Sequence, residues 1–226
     1  MDRVYRRLDR RVNILMVDYR GYGKSEGTPS EHGLYQDAEA ALDWLRDRDD
    51  VNKESIFVFG RSLGGAVGFQ LASRRPDQLR ALIVENTFTS IADMVDHMLP
   101  VLRPIKSFVV RMYYPSIDLV PQLTLPTLFI SGEKDLLLPP VQMRQLYDAH
   151  GAPEKDKELY LIPEGGHNDA WEKGGEEYMK KFAQFVRRYS VESNPAASTG
   201  SPPSEEWVVL ESGSARQRTR RHSGAE

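Results

Sequence analysis

Hydrophobic residues along this chain fall into two patterns that take turns. Five short, nearly continuous apolar runs have the character of strands buried on both faces: Val12 to Tyr19, Ser55 to Gly60, Arg80 to Asn86, Pro126 to Gly132 and Glu158 to Glu164. Between them the apolar residues recur at helical spacing. Leu34, Ala38, Ala41, Leu42 and Leu45 share one face, Met143, Leu146 and Tyr147 a second, and Tyr178, Phe182, Phe185, Val186 and Tyr189 a third. Ahead of the first helix, "TPSE" at Thr28 to Glu31 matches a capping box with Pro29 at the first helical position. Strand alternating with helix predicts an α/β fold built on a doubly wound, mostly parallel sheet.

Two stretches break the alternation. Residues 87–122, "TFTSIADMVDHMLPVLRPIKSFVVRMYYPSIDLVPQ", hold four prolines and helix-like fragments but no clean strand. They read as a helical, lid-like insertion over the C-terminal edge of the sheet. From Ser190 the chain becomes Ser/Pro-rich and then basic, ending "ARQRTRRHSGAE", which predicts a disordered tail over 190–226. Within it "EWVVLE" is one short apolar run, and "RRHS" at Arg220 to Ser223 resembles a basophilic kinase site. The folded domain is expected over 1–189.

Composition narrows the function classes. At 226 residues and 40% hydrophobic, the chain suffices for one ordinary domain with a core rather than two. A net charge of -3 gives no reason to expect a nucleic-acid partner. No apolar run approaches the roughly 18 to 20 residues of a membrane span, and "MDRVYRRLDR" is too charged for a secretory signal. The absence of cysteine rules out a disulfide frame, a thiolate metal site and a cysteine nucleophile.

The chemistry centres on "FVFGRSLGGAVGF", where Ser62 stands between Gly60 and Gly64. A serine hydroxyl becomes a useful nucleophile only when an oriented base takes its proton. G-x-S-x-G after a buried strand and before a helix is the context of a nucleophile elbow, whose sharp turn leaves no room for bulky flanking residues. Of the five histidines, His167 in "PEGGHND" follows the last strand, on the sheet edge where ligands collect. His32 lies in the first turn of a helix, His97 in the insertion and His222 in the tail, while His150 reads as a helix-terminus cap. The orienting carboxylate should emerge from a strand end between Ser62 and His167. Asp135 in "SGEKDLLLPP" does so, with Glu133 and Asp118 as runners-up; Asp169 is too near His167 in sequence to face it. Ser62, Asp135 and His167 then run in the order nucleophile, acid, base of the α/β-hydrolases.

At this point the chain resembles a known group. "NILMVDYRGYGKSEG", "FVFGRSLGGAV", "VENTFTSI", "PTLFISGEKDLLLPP" and "GGHNDAW" together are similar to the Bem46-like branch of the α/β-hydrolase superfamily, over roughly Val12 to Tyr189. The resemblance implies an α/β-hydrolase fold, with Ser62, Asp135 and His167 as nucleophile, acid and base. Related branches act on acyl esters or on palmitoyl thioesters of proteins, and full-length relatives carry an N-terminal membrane anchor. The family also places a third strand between its fourth and fifth, here Val12 to Tyr19 and Ser55 to Gly60, followed by an "HG" loop that supplies an oxyanion donor. Neither precedes "MDRVYRRLDRRVNIL", so those two strands are expected to pair directly or to leave a gap, and the Leu63 N–H is the one oxyanion donor expected.

The expected activity is a cofactor-free, metal-free serine hydrolase acting on a small-molecule or lipidated-protein acyl ester or thioester. Arg20 and Tyr22 after the first strand, with Phe88 and Met94 in the insertion, are the candidate pocket residues, alongside Met98, Leu99, Phe108, Met112, Tyr113 and Tyr114. The alternative is a catalytically impaired relative, a binding scaffold on the same fold. Loss of one oxyanion donor typically costs on the order of a hundred- to a thousand-fold in turnover.

Overall fold

The computed structural model describes residues 12–98, 112–191 and 207–212. Six parallel strands form one sheet: β1 (Val12–Val17), β2 (Ile56–Arg61), β3 (Ala81–Glu85), β4 (Thr127–Gly132), β5 (Lys157–Ile162) and β6 (Trp207–Ser212), in the order β1-β6-β2-β3-β4-β5. The five apolar runs all appear, because each strand offers an apolar residue to both sides. In β2, Ile56 and Val58 join one core while Phe57 and Phe59 join the other; in β3, Leu82 and Val84 oppose Ala81 and Ile83. Helices α1 (Glu31–Arg46), α2 (Leu63–Arg74) and α5 (Pro140–Ala149) cover the first face through Leu34, Leu42, Phe69 and Met143. Helix α7 (Gly175–Tyr189) covers the second with Tyr178, Phe182, Phe185 and Val186. Each such side chain, fully buried, contributes roughly 1.5–3 kcal/mol.

The tail and the sheet centre differ from expectation. Of residues 190–226, expected to be disordered, 207–212 form β6, while 192–206 and 213–226, with the kinase-like "RRHS", lie outside the described residues. β1 and β2 neither pair directly nor leave a gap: β6 lies between them, Val12 to Val17 opposite Trp207 to Ser212 and Ile56 to Phe59 opposite Val208 to Glu211. The physical reason is backbone satisfaction. Two facing strand edges inside a sheet present unpaired N–H and C=O groups, and an extended segment that reaches them pairs with both.

The insertion holds α3 (Ile91–Met98) and α4 (Ser116–Leu119), with 99–111, including Leu99 and Phe108, outside the described residues; of Met98 the backbone alone is described. It is tied down by Glu31. The N-cap of α1 is Ser30, whose hydroxyl accepts from Gly33 N–H, and not Thr28 of the capping-box reading. Glu31 is free to accept from Tyr113 N–H at 2.6 Å, Tyr114 N–H at 3.1 Å and the Tyr35 hydroxyl at 2.9 Å. A long-range demand for acceptors took the side chain that the local motif would have used.

His150 does stand at the C-cap of α5, its N–H donating to Tyr147 O at 3.3 Å, but its ring is engaged in the interior. Only 3% exposed, its Nδ1 accepts from Ala152 N–H at 3.1 Å and its Nε2 lies 3.1 Å from Thr127 Oγ1. Thr127 Oγ1 donates to Leu125 O, so the ring meets it as a neutral Nε2–H donor. Burial, then the charge of Lys157, pushes its pKa down to about 4. The unfolded chain takes up this proton below about pH 6.5 and the folded chain does not, so the stabilisation is whole above 6.5 and is lost as pH falls toward 4. The expected loss from this group is about 2 kcal/mol between pH 7 and pH 5. Urea melts at the two pH values check it: His150→Phe should shrink the pH difference by about that amount, and an unchanged difference refutes the assignment.

Candidate active site

Ser62 sits between the end of β2 and the start of α2 with φ 54° and ψ −120°, a backbone conformation that costs on the order of 1–3 kcal/mol and persists only when neighbours impose it. They do. Ser62 N–H donates to Glu85 O at 2.9 Å, and Ser62 O accepts from Gly65 N–H at 3.0 Å and Thr87 Oγ1 at 2.7 Å. The two decisive glycines are Gly60, where a Cβ would stand 2.2 Å from Gly64 O, and Gly65, where it would stand 2.6 Å from Thr87 Cβ. The Tyr178 hydroxyl of α7 donates to the Glu85 carboxylate behind the turn.

Asp135 and His167 come from the loops after β4 and β5. Asp135 Oδ1 accepts from Leu137 N–H at 2.9 Å and Leu138 N–H at 2.8 Å, leaving Oδ2 for His167 Nδ1 at 2.7 Å. That acceptor holds the imidazole proton on Nδ1, and the bare Nε2 lies 3.1 Å from Ser62 Oγ. The Asp135 side chain is 0% exposed and that of His167 12%, so the pair is shielded while the ring keeps one open edge. Of the runners-up, Glu133 pairs with Arg144 at 2.7 Å and Asp118 is exposed on α4; Asp169, set aside for its nearness to His167, accepts from Gly166 N–H at 2.7 Å. Leu63 opens α2, so its N–H belongs to the first helical turn, whose amides have no acceptor within the helix.

One residue that pattern reading passes over staples the two loops. Asn86, 1% exposed and at φ 43°, follows β3. Its Oδ1 accepts from Gly132 N–H at 2.8 Å, where the Asp135 loop begins. Its Nδ2 donates to Gly166 O at 3.0 Å and to His167 O at 3.1 Å. The available signal was an asparagine, a residue tolerant of positive φ, directly after a buried strand.

The candidate pocket residues are less united. The Arg20 guanidinium is bound to Asp37, Nη2 to Oδ1 at 2.7 Å and Nε to Oδ1 at 3.0 Å, which fastens the loop after β1 onto α1. Tyr22 is 42% exposed on that loop, Phe88 is core at 2%, and Met94 is half-buried against the core. Met112 and Tyr113 are exposed. Tyr114 is buried with its ring edge-on to Phe88 and Tyr35, and its hydroxyl has no partner among the described residues. A cavity of about 740 Å³ lies between α3 and α5, lined by Asp93, Asp96, His97, Gln142, Gln145 and Asp148 among others, and none of the hydrogen-bonded trio borders it. Volume and hydrogen-bonding geometry therefore part company, and the trio is taken as the candidate site for its geometry. Among the described residues no cluster of three or more His, Asp or Glu side chains is disposed to hold a metal ion.

The fold around this trio recurs in known proteins. The sequence model of the alpha/beta hydrolase fold matches residues 4–116. The alpha/beta hydrolase domain-containing protein WAV2 of Arabidopsis thaliana is 44% identical over 80% of this chain and 63% of its own length. Protein bem46 of Schizosaccharomyces pombe is 38% identical over 82% of this chain and 61% of its own. The chain thus spans under two thirds of either relative. An esterase of Pyrococcus furiosus superposes with a TM-score of 0.67 at 19% identity, covering 84% of this chain and 76% of that one, a likeness of fold. A strained serine after the second strand, on a sheet that a whole-family sequence pattern also recognises, leaves one conclusion: this chain belongs to the α/β-hydrolase fold family, on its Bem46-like branch.

Proposed function

We propose that the protein is a serine hydrolase that cleaves a carboxylic ester or acyl thioester through an acyl-enzyme. The observation that carries this reading is the double engagement of His167, Nδ1 to Asp135 Oδ2 at 2.7 Å and Nε2 to Ser62 Oγ at 3.1 Å. Ser62 Oγ attacks the acyl carbonyl carbon as its proton passes to His167 Nε2, and Asp135 stabilises the imidazolium. The oxyanion accepts from Leu63 N–H. The imidazolium then protonates the departing alkoxide or thiolate, a water attacks the acyl-enzyme with Nε2 as base, and the acid leaves with Ser62 restored. The substrate class is a small-molecule or lipidated-protein acyl ester, a reading that the esterase likeness of fold supports.

Incubation of the full chain with a fluorophosphonate probe tests the proposal. The expected result is one adduct per chain, mapped to Ser62 by peptide mass, and turnover of a panel of nitrophenyl esters and acyl thioesters. A chain that melts cooperatively yet stays unmodified, or carries the adduct elsewhere, would make the protein a scaffold without turnover.

A further inference from the structure

The cavity of about 740 Å³ between α3 and α5 has polar walls, where two neighbouring helices ordinarily turn apolar faces to each other. On α3, Ile91 and Met94 pack on the core while Asp93, Asp96 and His97 line the cavity. On α5, Met143 and Leu146 go to the core while Gln142, Gln145 and Asp148 line it. Carboxylates therefore stand on both walls, and among the described residues no lysine or arginine borders the space. Arg144, the arginine of α5, pairs with Glu133 at 2.7 Å instead. Among the described residues no three of these groups converge closely enough to hold a metal ion, so the negative charge is spread along a groove. The floor of the groove adds a donor. Gln142 is 4% exposed, and its Oε1 accepts from Thr89 N–H at 3.1 Å, which fixes the amide with its Nε2 toward the cavity. That NH2 donates to no group among the described residues, whereas a buried amide donor ordinarily has a partner. Thr89 Oγ1 at 2.7 Å and Ser90 Oγ at 2.8 Å both donate to Asp93 Oδ2, which holds that carboxylate in place.

We propose that this groove docks an extended basic peptide segment, and that the acyl group brought to Ser62 is carried by a protein with lysine or arginine flanking the acylated residue. The ligand must offer cations to the carboxylates and an acceptor to Gln142 Nε2. A simple polyamine has no acceptor. A peptide has both, its carbonyls accepting from Gln142 and its Lys or Arg side chains reaching Asp93 and Asp148, with their aliphatic stems against Ile117 and Val141. From Gln142 to Asp148 the helix rises about 9 Å, the span of about three extended residues. The groove meets the hydrolytic site through two short stretches. Pro139, in the loop of Asp135, lines it, and so does Thr89, two residues past the Thr87 whose hydroxyl donates to Ser62 O. The substrate assignment rests on the hydrolase reading; the docking of the peptide does not.

The test titrates the full chain into fluorescein-labelled Gly-Lys-Arg-Lys-Gly, read by anisotropy, with Gly-Glu-Asp-Glu-Gly as the matched acidic probe. The basic peptide should bind at least about tenfold more tightly than the acidic one. Asp148 is exposed, and Asp148→Lys should weaken binding of the basic peptide about tenfold by turning attraction into repulsion. Asp148→Asn keeps the shape of the side chain and should weaken it less, in the same direction, which preserves the test if the lysine variant misfolds. Spermine should compete more weakly than unlabelled peptide, since it offers Gln142 no acceptor. Equal binding of the two peptides, undiminished binding by an Asp148→Lys chain that melts as the parent does, or spermine competing as well as the peptide would overturn the inference. For the substrate, kcat/KM for an S-octanoyl cysteinyl peptide flanked by lysines should exceed that for the glutamate-flanked peptide about tenfold, and Asp148→Lys should bring the ratio toward one. A ratio near one in the parent, or failure of both thioesters in a chain that takes fluorophosphonate at Ser62, refutes the substrate assignment. Failure of the thioesters and the probe together sinks the hydrolase reading, while anisotropy still judges the groove.

Discussion

Asp135→Asn is expected to lower turnover about ten-thousand-fold while leaving the fold intact. The argument follows from the two carboxylate oxygens. Oδ1 accepts from Leu137 and Leu138 N–H, so the amide of an asparagine must place its oxygen there and its NH2 toward His167. An NH2 facing Nδ1 needs a bare nitrogen, which moves the imidazole proton to Nε2, the atom 3.1 Å from Ser62 Oγ. The base then carries a proton where it must accept one. Because the lost interaction acts at the moment of proton transfer, kcat should fall with KM within a few-fold. Thermal melting should move little, as the side chain keeps its shape and its two backbone donors. Turnover within tenfold of the parent would remove Asp135 from the mechanism.

The regular part of this molecule was legible because it depends on short-range pattern. Apolar runs such as Ala81–Glu85 are strands whatever surrounds them, and the face of α7 from Tyr178 to Tyr189 needs only its own periodicity. The meeting of Ser62, Asp135 and His167 was legible for a related reason: a parallel sheet delivers its strand ends to one edge, where a serine, an acid and a histidine on three such ends can converge. Where reading failed, the decisive partner was remote. The capping box at Thr28 to Glu31 was locally sound, but Tyr113 and Tyr114, more than eighty residues on, claimed the Glu31 carboxylate. The segment 207–212 carries no more signal than any four apolar residues in a polar tail. Its strand state is set by the facing edges of β1 and β2, not by its own composition. His150 was legible as a cap from its place after α5, but the burial of its ring was not, because the pocket is closed by Thr127 and Ala152, which lie on different segments.

The same remoteness makes Asn86 the sharpest test of how the site is held. Replacing it by alanine removes the acceptor for Gly132 N–H and the donor for Gly166 O and His167 O, all from one side chain. Each buried group left unpaired costs about 1–3 kcal/mol, and alanine at φ 43° costs roughly 1–2 kcal/mol more. Asn86→Ala is therefore expected to lose at least about 4 kcal/mol of stability, each contribution being taken at its lower bound. Asn86→Gly accepts the same φ without strain, so it should be the more stable variant while losing the same three hydrogen bonds. The two substitutions separate folding from function. If Asn86 positions His167, both variants label with fluorophosphonate about a hundred-fold more slowly than the parent at a temperature where both are folded, since an ångström of misplacement at the base costs that much. KM for a good ester should change little in either. A glycine variant that is folded and labels at the parental rate would mean that the loops hold their own geometry, and that Asn86 serves the fold alone.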